Sequence, residues 1–267
     1  MIRAATLPGG SNNQDRYITG DGFAAVLDGA TSFAGNRSHD PGWYAEQLAQ
    51  AIGETVPRSG SLAQAVAEAI RSVRDAHGLS PETTPTSTVA LARWSAESVE
   101  TYVLGDSYAV VLQADGTEDI HTDDRLDSVA VNERAAYRKR LAGGHGYDGG
   151  HRDLLLLLQA EQARRVNRPD GYWIAGAEPE AARHGFTATR DRSSVAAIVL
   201  ASDGVALERY PGGVAWGILY RDAEKYGVGH VLRSIHESEQ ADPDGKRWPR
   251  SKVHDDKTLM TVQLDSS

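Results

Sequence analysis

Phe23-Ala24-Ala25-Val26-Leu27-Asp28-Gly29 is an unbroken apolar run that ends in a carboxylate and a glycine. The same design recurs at Ala197-Ile198-Val199-Leu200-Ala201-Ser202-Asp203-Gly204 and at Tyr102-Val103-Leu104-Gly105-Asp106-Ser107. An inverted variant, His254-Asp255-Asp256-Lys257-Thr258, puts the acids before an apolar run. Apolar, β-branched runs bounded by Gly, Asp or Ser read as strands. A carboxylate at the end of a buried strand is costly unless something neutralises it, and several such ends brought together repel one another. A divalent cation resolves that repulsion. Carboxylates, a backbone carbonyl and water are the ligands that Mg²⁺ and Mn²⁺ favour. Glycine after the acid lets the backbone approach the ion closely. Asp-Gly also marks turns. The pairs at Asp21, Asp115, Asp148, Asp170 and Asp244 follow polar or irregular stretches and read that way.

Working outward, strands are expected at Phe23–Leu27, Thr88–Ala92, Thr101–Leu104, Ala109–Leu112, Val195–Ala201 and Thr258–Leu264. In Ser61–His77, Leu62, Ala65, Val66, Ala69, Ile70 and Val73 repeat at helical spacing. Ser61 with Gln64 forms a capping box there, and Gly78 is the stop. Trp43–Thr55, closed by Pro57, and Gly229–Glu239 read as further helices. Residues 123–168 read as a helical insert with a Gly-rich break at 143–150. This order favours an α+β layered domain, two sheets flanked by helices, over repeating βαβ units. The whole chain, 1–267, reads as a single domain with a helical or flap insertion around 123–192.

The 267 residues carry a formal net charge of −9, which argues against nucleic acid and anionic lipid as partners. The chain has no cysteine, so thiolate ligands, disulfides and thiol nucleophiles are excluded together. The first residues lack the apolar core of a signal peptide, and Leu154–Leu158 is too short to span a membrane. A cytoplasmic location is the simplest expectation.

In chain order, Asn13-Gln14-Asp15-Arg16, Val26-Leu27-Asp28-Gly29, Thr86-Ser87-Thr88, Leu104-Gly105-Asp106-Ser107, Ala201-Ser202-Asp203-Gly204 and Asp255-Asp256-Lys257-Thr258 resemble the motifs of the metal-dependent type-2C Ser/Thr protein phosphatases, the PPM family. The resemblance runs from Asn13 to Leu264 and is weakest between Asp123 and Arg192. It implies an αββα sandwich of two antiparallel β-sheets flanked by helices, with a centre of two Mg²⁺ or Mn²⁺ ions. Asp28 would bridge both ions and the Gly29 carbonyl would bind one. Asp203 and Asp255 would complete the first site and Asp15 would hold the second. Asp106 would bind a third, weaker ion. The implied reaction is hydrolysis of a phosphomonoester, most simply phosphoserine or phosphothreonine in a protein, by a hydroxide that bridges the cations. On this resemblance Asp28, Asp203 and Asp255 are the catalytic set.

The sequence departs from the family in three places. Gln14 stands where the family has Glu, and Ala30 stands where animal members have His. The upstream phosphate-gripping Arg is replaced by Gly10 or a neighbour, with Arg3 and Arg16 as substitutes. Gln14 and the missing Arg point to one alternative, a phosphatase-like binding module with weak turnover, and the unmatched stretch between Asp123 and Arg192 to another, a phosphatase of a small phosphorylated metabolite.

Other residues carry weaker signals. Arg37, His39 and Asp40 read as a solvated loop, and His121, His145, His151 and His184 as exposed. His254 is the histidine best placed to support a neighbouring Asp255. Tyr172, Trp173, Trp216 and Tyr220 read as core or rim aromatics. The basic run Lys246–Lys252 is either a solvated loop or a lure for an acidic or phosphorylated substrate.

Overall fold

The computed structural model describes residues 1–30 and 39–264, so Arg37 lies outside the described residues. Strand β3 (Phe23–Ala30) shows how the sandwich is built. Ala24 and Val26 point into one apolar cluster, while Phe23, Ala25 and Leu27 point into another. Successive side chains face opposite sides of a sheet, so a strand covered on both faces must be apolar throughout.

β3 belongs to a sheet ordered β2 (Asp15–Gly20), β3, β5 (Val89–Trp94), β6 (Ser98–Leu104) and β9 (Phe186–Asp191), with the short β4 (Thr86–Ser87) also paired to β3. The second sheet runs β1 (Ile2–Leu7), β11 (Lys257–Gln263), β10 (Val195–Ala201), β7 (Tyr108–Gln113) and β8 (Glu118–His121). All these pairings are antiparallel. Between the sheets lies a layer that includes Ala24, Val26, Ala90, Val111, Ile198, Leu200 and Met260.

Helices α1 (Pro41–Thr55) and α2 (Leu62–His77) cover the first sheet. α5 (Trp216–Tyr226) and α6 (Val228–Gln240) cover the second. The result is the αββα sandwich expected from the sequence. The apolar stripe of α2 is the one read from its spacing, with Ser61 accepting from the Gln64 amide and Gly78 closing the helix at φ 61°. Asp40, read as a solvated loop residue, instead caps α1 by accepting from the Gly42 and Trp43 amides. No helix among the described residues is long and apolar enough to cross a membrane.

Helices α3 (Val131–Ala142) and α4 (Gly149–Arg165) form a satellite with its own small core of Tyr137, Leu141, Leu155 and Leu158. The chain after α4 is tied to the sandwich by the Ser87–Ala175 bridge and by the Tyr44 hydroxyl donating to the Gly176 carbonyl at 2.6 Å. β9 then joins the first sheet beside β6. The stretch read as an insert therefore returns to the sandwich before residue 192. β1, β2, β8 and β9 were not read from the sequence. Each mixes half-buried with exposed positions, so none forms a solid apolar run.

Ile198 is fully buried between the sheets, whereas Val214 is 74 % exposed. Ile198→Ala should cost about 2–5 kcal/mol in urea unfolding. Val214→Ala should stay within about 0.5 kcal/mol of wild type. Equal effects would contradict the layer assignment.

Candidate metal centre

The acids singled out by sequence converge at one end of the sandwich, delivered by both sheets. Asp28 lies inside β3 rather than after it, because the strand continues through Gly29 and Ala30 to pair with β4. It stands opposite Asp15 in the β2–β3 register. Asp203 follows β10, and Asp255 precedes the adjacent, antiparallel β11. The Asp28 and Asp203 carboxyls act on each other electrostatically. Asp106 sits in the β6–β7 turn, which Gly105 makes with φ 85°, a conformation that favours glycine. Thr88 joins this turn to β3. Its hydroxyl accepts from the Asp28 amide at 3.2 Å and lies 2.6 Å from the Ser107 hydroxyl.

Two glycines permit the convergence. A Cβ on Gly29 would lie 2.8 Å from the Gln14 and Pro41 carbonyl oxygens, and one on Gly204 would lie 1.9 Å from the Asp256 carbonyl oxygen. Both acid loops therefore approach backbone more closely than any side chain allows. Asp256, the second acid of the inverted motif, acts as a clasp. Its carboxylate accepts from the Gly9 and Gln14 amides at 2.7 and 2.8 Å, holding the β1–β2 loop against β11.

The electrostatics are those of an under-neutralised acid centre. Burial raises the Asp15 carboxyl to about 7 against the lowering effect of hydrogen bonds from Ser202 and Thr258. Burial, then Asp203, raises Asp106 to about 7. Asp28 is pushed well above the ordinary range by burial and by Asp15, Asp203 and Asp255. Asp203, which opens to the cleft, is raised by desolvation among the clustered acids and by Asp255. Among the described residues, Lys252 is the cation that reaches the centre directly, donating to Asp255 Oδ1 at 2.6 Å. Asp255, Asp28 and Asp203 more than offset the burial of this ammonium and hold it charged. Asp15 Oδ2 accepts from the Ser202 hydroxyl at 2.7 Å, while Asp15 Oδ1 is buried with no hydrogen-bond partner. Hard oxygen donors, mutual repulsion and an orphaned buried oxygen together fit Mg²⁺ or Mn²⁺.

A second group, His236, Glu239 and His254, also brings potential ligands together. It does not fit a metal. Wholly buried Glu239 already binds Arg209 at 2.7 Å and Lys257 at 2.8 Å, so a metal there would add a third cation to one carboxylate. His254 Nδ1 donates to the Glu239 carboxylate at 3.0 Å instead of meeting Asp255, as the sequence had suggested. The network still serves the centre: the Lys257 ammonium donates to the Asp255 carbonyl at 2.7 Å and fixes that loop.

Both candidates for the missing phosphate grip point elsewhere. Arg3 pairs with Glu224, and Arg16 with Glu46 and the Asn13 and Asp15 carbonyls. The basic run divides. Arg250 is buried in a pair with Asp242 at 2.9 Å, and Arg247 lies over Trp248. His39 stacks on Trp43 and His184 on Trp173. His151, read as exposed, is buried between Tyr137 and Tyr147, with Nε2 2.9 Å from the Ser251 carbonyl. Trp216 is a core residue beside Tyr108.

Sequence reasoning gave no role to Ser202 or Glu239. Ser202 stands beside Asp203 in the Ala201–Gly204 motif, with no local sign of a partner. Its hydroxyl in fact links Asp15 to the Thr258 amide at 2.7 and 2.9 Å. Glu239 sits on a helix with no local sign of burial.

A cleft of about 750 Å³ lined by Asp106, Asp203, Asp255 and Lys252 leads to the centre. A smaller one of about 360 Å³ adds Asp28 and an apolar wall from α4.

A carboxyl whose pKa rises on folding contributes stability while it holds its proton. That contribution is lost as pH climbs from the ordinary 3.8 through about 7 for Asp106. Asp106→Asn should therefore raise the melting temperature of the EDTA-treated protein at about pH 8, with the benefit shrinking towards about pH 5. Comparing variant with wild type cancels the opposing titration of His121 and His236, both lowered chiefly by burial. An equal effect at both pH values would contradict the assignment.

No protein-family model and no curated protein matches the sequence. Solved structures do match in fold. A bacterial serine phosphatase superposes with a TM-score of 0.58 at 12% identity, covering 100% of this chain and 98% of that one. The catalytic domain of the serine/threonine phosphatase PstP, solved with two manganese ions, gives 0.55 at 15% identity over 99% and 98%. Stp1 from Staphylococcus aureus gives 0.51 at 11% over 99% and 94%. From end to end, this chain has the fold of the PPM-type Ser/Thr phosphatases.

Proposed function

We propose that the chain is a metal-dependent phosphomonoester hydrolase of the PPM type that acts on phosphoserine and phosphothreonine in proteins. The observation that carries this reading is the meeting of Asp28, Asp203 and Asp255 above a buried, half-unpaired Asp15. Asp28 and the Gly29 carbonyl, Asp203 and Asp255 would hold a first Mg²⁺ or Mn²⁺, Asp28 and Asp15 a second, and Asp106 a third. Bound there, the cations would supply a water acidified enough to attack phosphorus and would offset charge on the phosphoryl oxygens.

The remaining work falls to the chain itself. Ser202, itself held by the Thr258 amide, orients Asp15, Thr88 holds the β3 backbone at Asp28, and Lys257 fixes the Asp255 loop. Leu155, Leu156, Tyr172 and Ile174 form an apolar wall beside the acids, suited to side chains flanking a phosphorylated residue. Both clefts share Asp203 and Asp255, and this layout suits a peptide better than a small metabolite. One domain over 1–267 with α3 and α4 as its flap is part of the same proposal. So is a cytoplasmic setting, which suits an acidic chain without cysteine.

One observation favours a second reading, a binding module with weak turnover. Lys252 already occupies Asp255 and competes with a cation for it.

The purified protein should release phosphate from a phosphoserine peptide only with Mn²⁺ or Mg²⁺. Asp28→Asn and Asp203→Asn should each lower the rate by at least about 100-fold. Tight binding of the peptide without release would favour the second reading, and neither binding nor release would refute both.

A further inference from the structure

We propose that Arg134, on the satellite helix α3, grips the substrate's phosphoryl group, a task that no residue of the β1–β2 region performs here. The inference rests on the phosphatase reading and adds a residue to it. A phosphate dianion entering a cleft walled by aspartates needs a side-chain cation that is not already committed to them. Among the described residues, Arg134 and Lys252 are the two cations that line both clefts over the acid centre. Lys252 is bonded to Asp255, so its charge serves the acids.

Arg134 differs from Lys252 in every relevant respect. Its Nη2 donates to the Leu126 carbonyl at 2.9 Å, and Nη1 lies a loose 3.6 Å from Asp127. Its Nε is buried and has no hydrogen-bond partner. The side chain is only 15% exposed, so an unpaired N–H there is a donor waiting for an acceptor. The guanidinium also acts on the charge of Asp106, which faces the same cleft. A planar fork with a free donor suits two phosphoryl oxygens, whereas an ammonium is a point charge.

The fold gives this arginine a fixed platform. Arg134, Tyr137 and Leu141 recur at helical spacing, and Tyr137 and Leu141 pack into the satellite core. The Arg134 amide donates to the carbonyl of Ala130, whose φ of 56° at the start of α3 is rarely adopted by a residue with a side chain. The helix is thus anchored on α4 with Arg134 directed at the cleft.

The test uses the full chain loaded with Mn²⁺, with inorganic phosphate as probe and a phosphoserine peptide as substrate. Arg134→Gln should bind Mn²⁺ as wild type does by calorimetry. It should weaken phosphate inhibition and raise KM by about 10- to 100-fold each, with kcat changed less. Arg134→Lys, which keeps the charge and loses the fork, should fall between the two. It also supplies the answer if the glutamine variant fails to fold, because unchanged KM and phosphate inhibition in Arg134→Lys would then overturn the proposal. Wild-type phosphate inhibition and KM in a folded Arg134→Gln would overturn it while leaving the phosphatase reading intact. A wild-type protein that binds Mn²⁺ yet neither hydrolyses the peptide nor binds phosphate would sink the reading and this inference together.

Discussion

Repulsion among carboxylates at one end of the sandwich is the constraint on which the rest of the structure turns. Asp15 is buried, Asp28 and Asp255 are half-buried and Asp203 opens to the cleft, and desolvation in the cluster together with their neighbours' charge pushes Asp15, Asp28 and Asp203 towards their protonated forms. A chain that keeps such a cluster without a cation gives up stability to do so, which is why strain of this kind points to function. Everything around the cluster reads as hardware for holding it together. Asp256 clasps the β1–β2 loop, Ser202 ties Asp15 to β11, and glycines at 29 and 204 remove the side chains that would keep the loops apart.

Behind this lies a second charged network of the opposite character. Glu239 is fully buried but matched by Arg209, Lys257 and His254, so it is satisfied without any added ion. The two clusters show why a count of acids and histidines cannot identify a metal centre. Glu239 has two cations for one carboxylate, whereas among the described residues the acid centre has one lysine for several aspartates. The first is a fastener that carries Lys257 to the backbone of Asp255, and the second remains short of positive charge.

What the sequence disclosed follows from what each strand buries. β10, and β3 up to Leu27, have both faces covered and are apolar throughout, so they and the acids attached to them could be read directly. α2 was legible because its stripe and both caps are local. Edge and near-edge strands such as β1, β2 and β9 alternate weakly and left no such trace, although β2 carries Asp15. The functional partners left even less. Ser202 reaches Thr258 across 56 residues, Glu239 reaches Arg209 across 30, and Arg134 acts from a satellite helix, and nothing in their immediate neighbours announces those contacts. Long-range polar pairing is a property of the fold, whereas apolar periodicity is a property of the segment.

The account stands or falls on whether the acid centre takes divalent cations in preference to Lys252. Anomalous diffraction at the manganese edge from crystals soaked in Mn²⁺ would show this directly. The account predicts strong peaks between Asp28, Asp203 and Asp255 and beside Asp15, with the Lys252 ammonium displaced from Asp255. A map with no peak among these residues and Lys252 still bonded to Asp255 would contradict it.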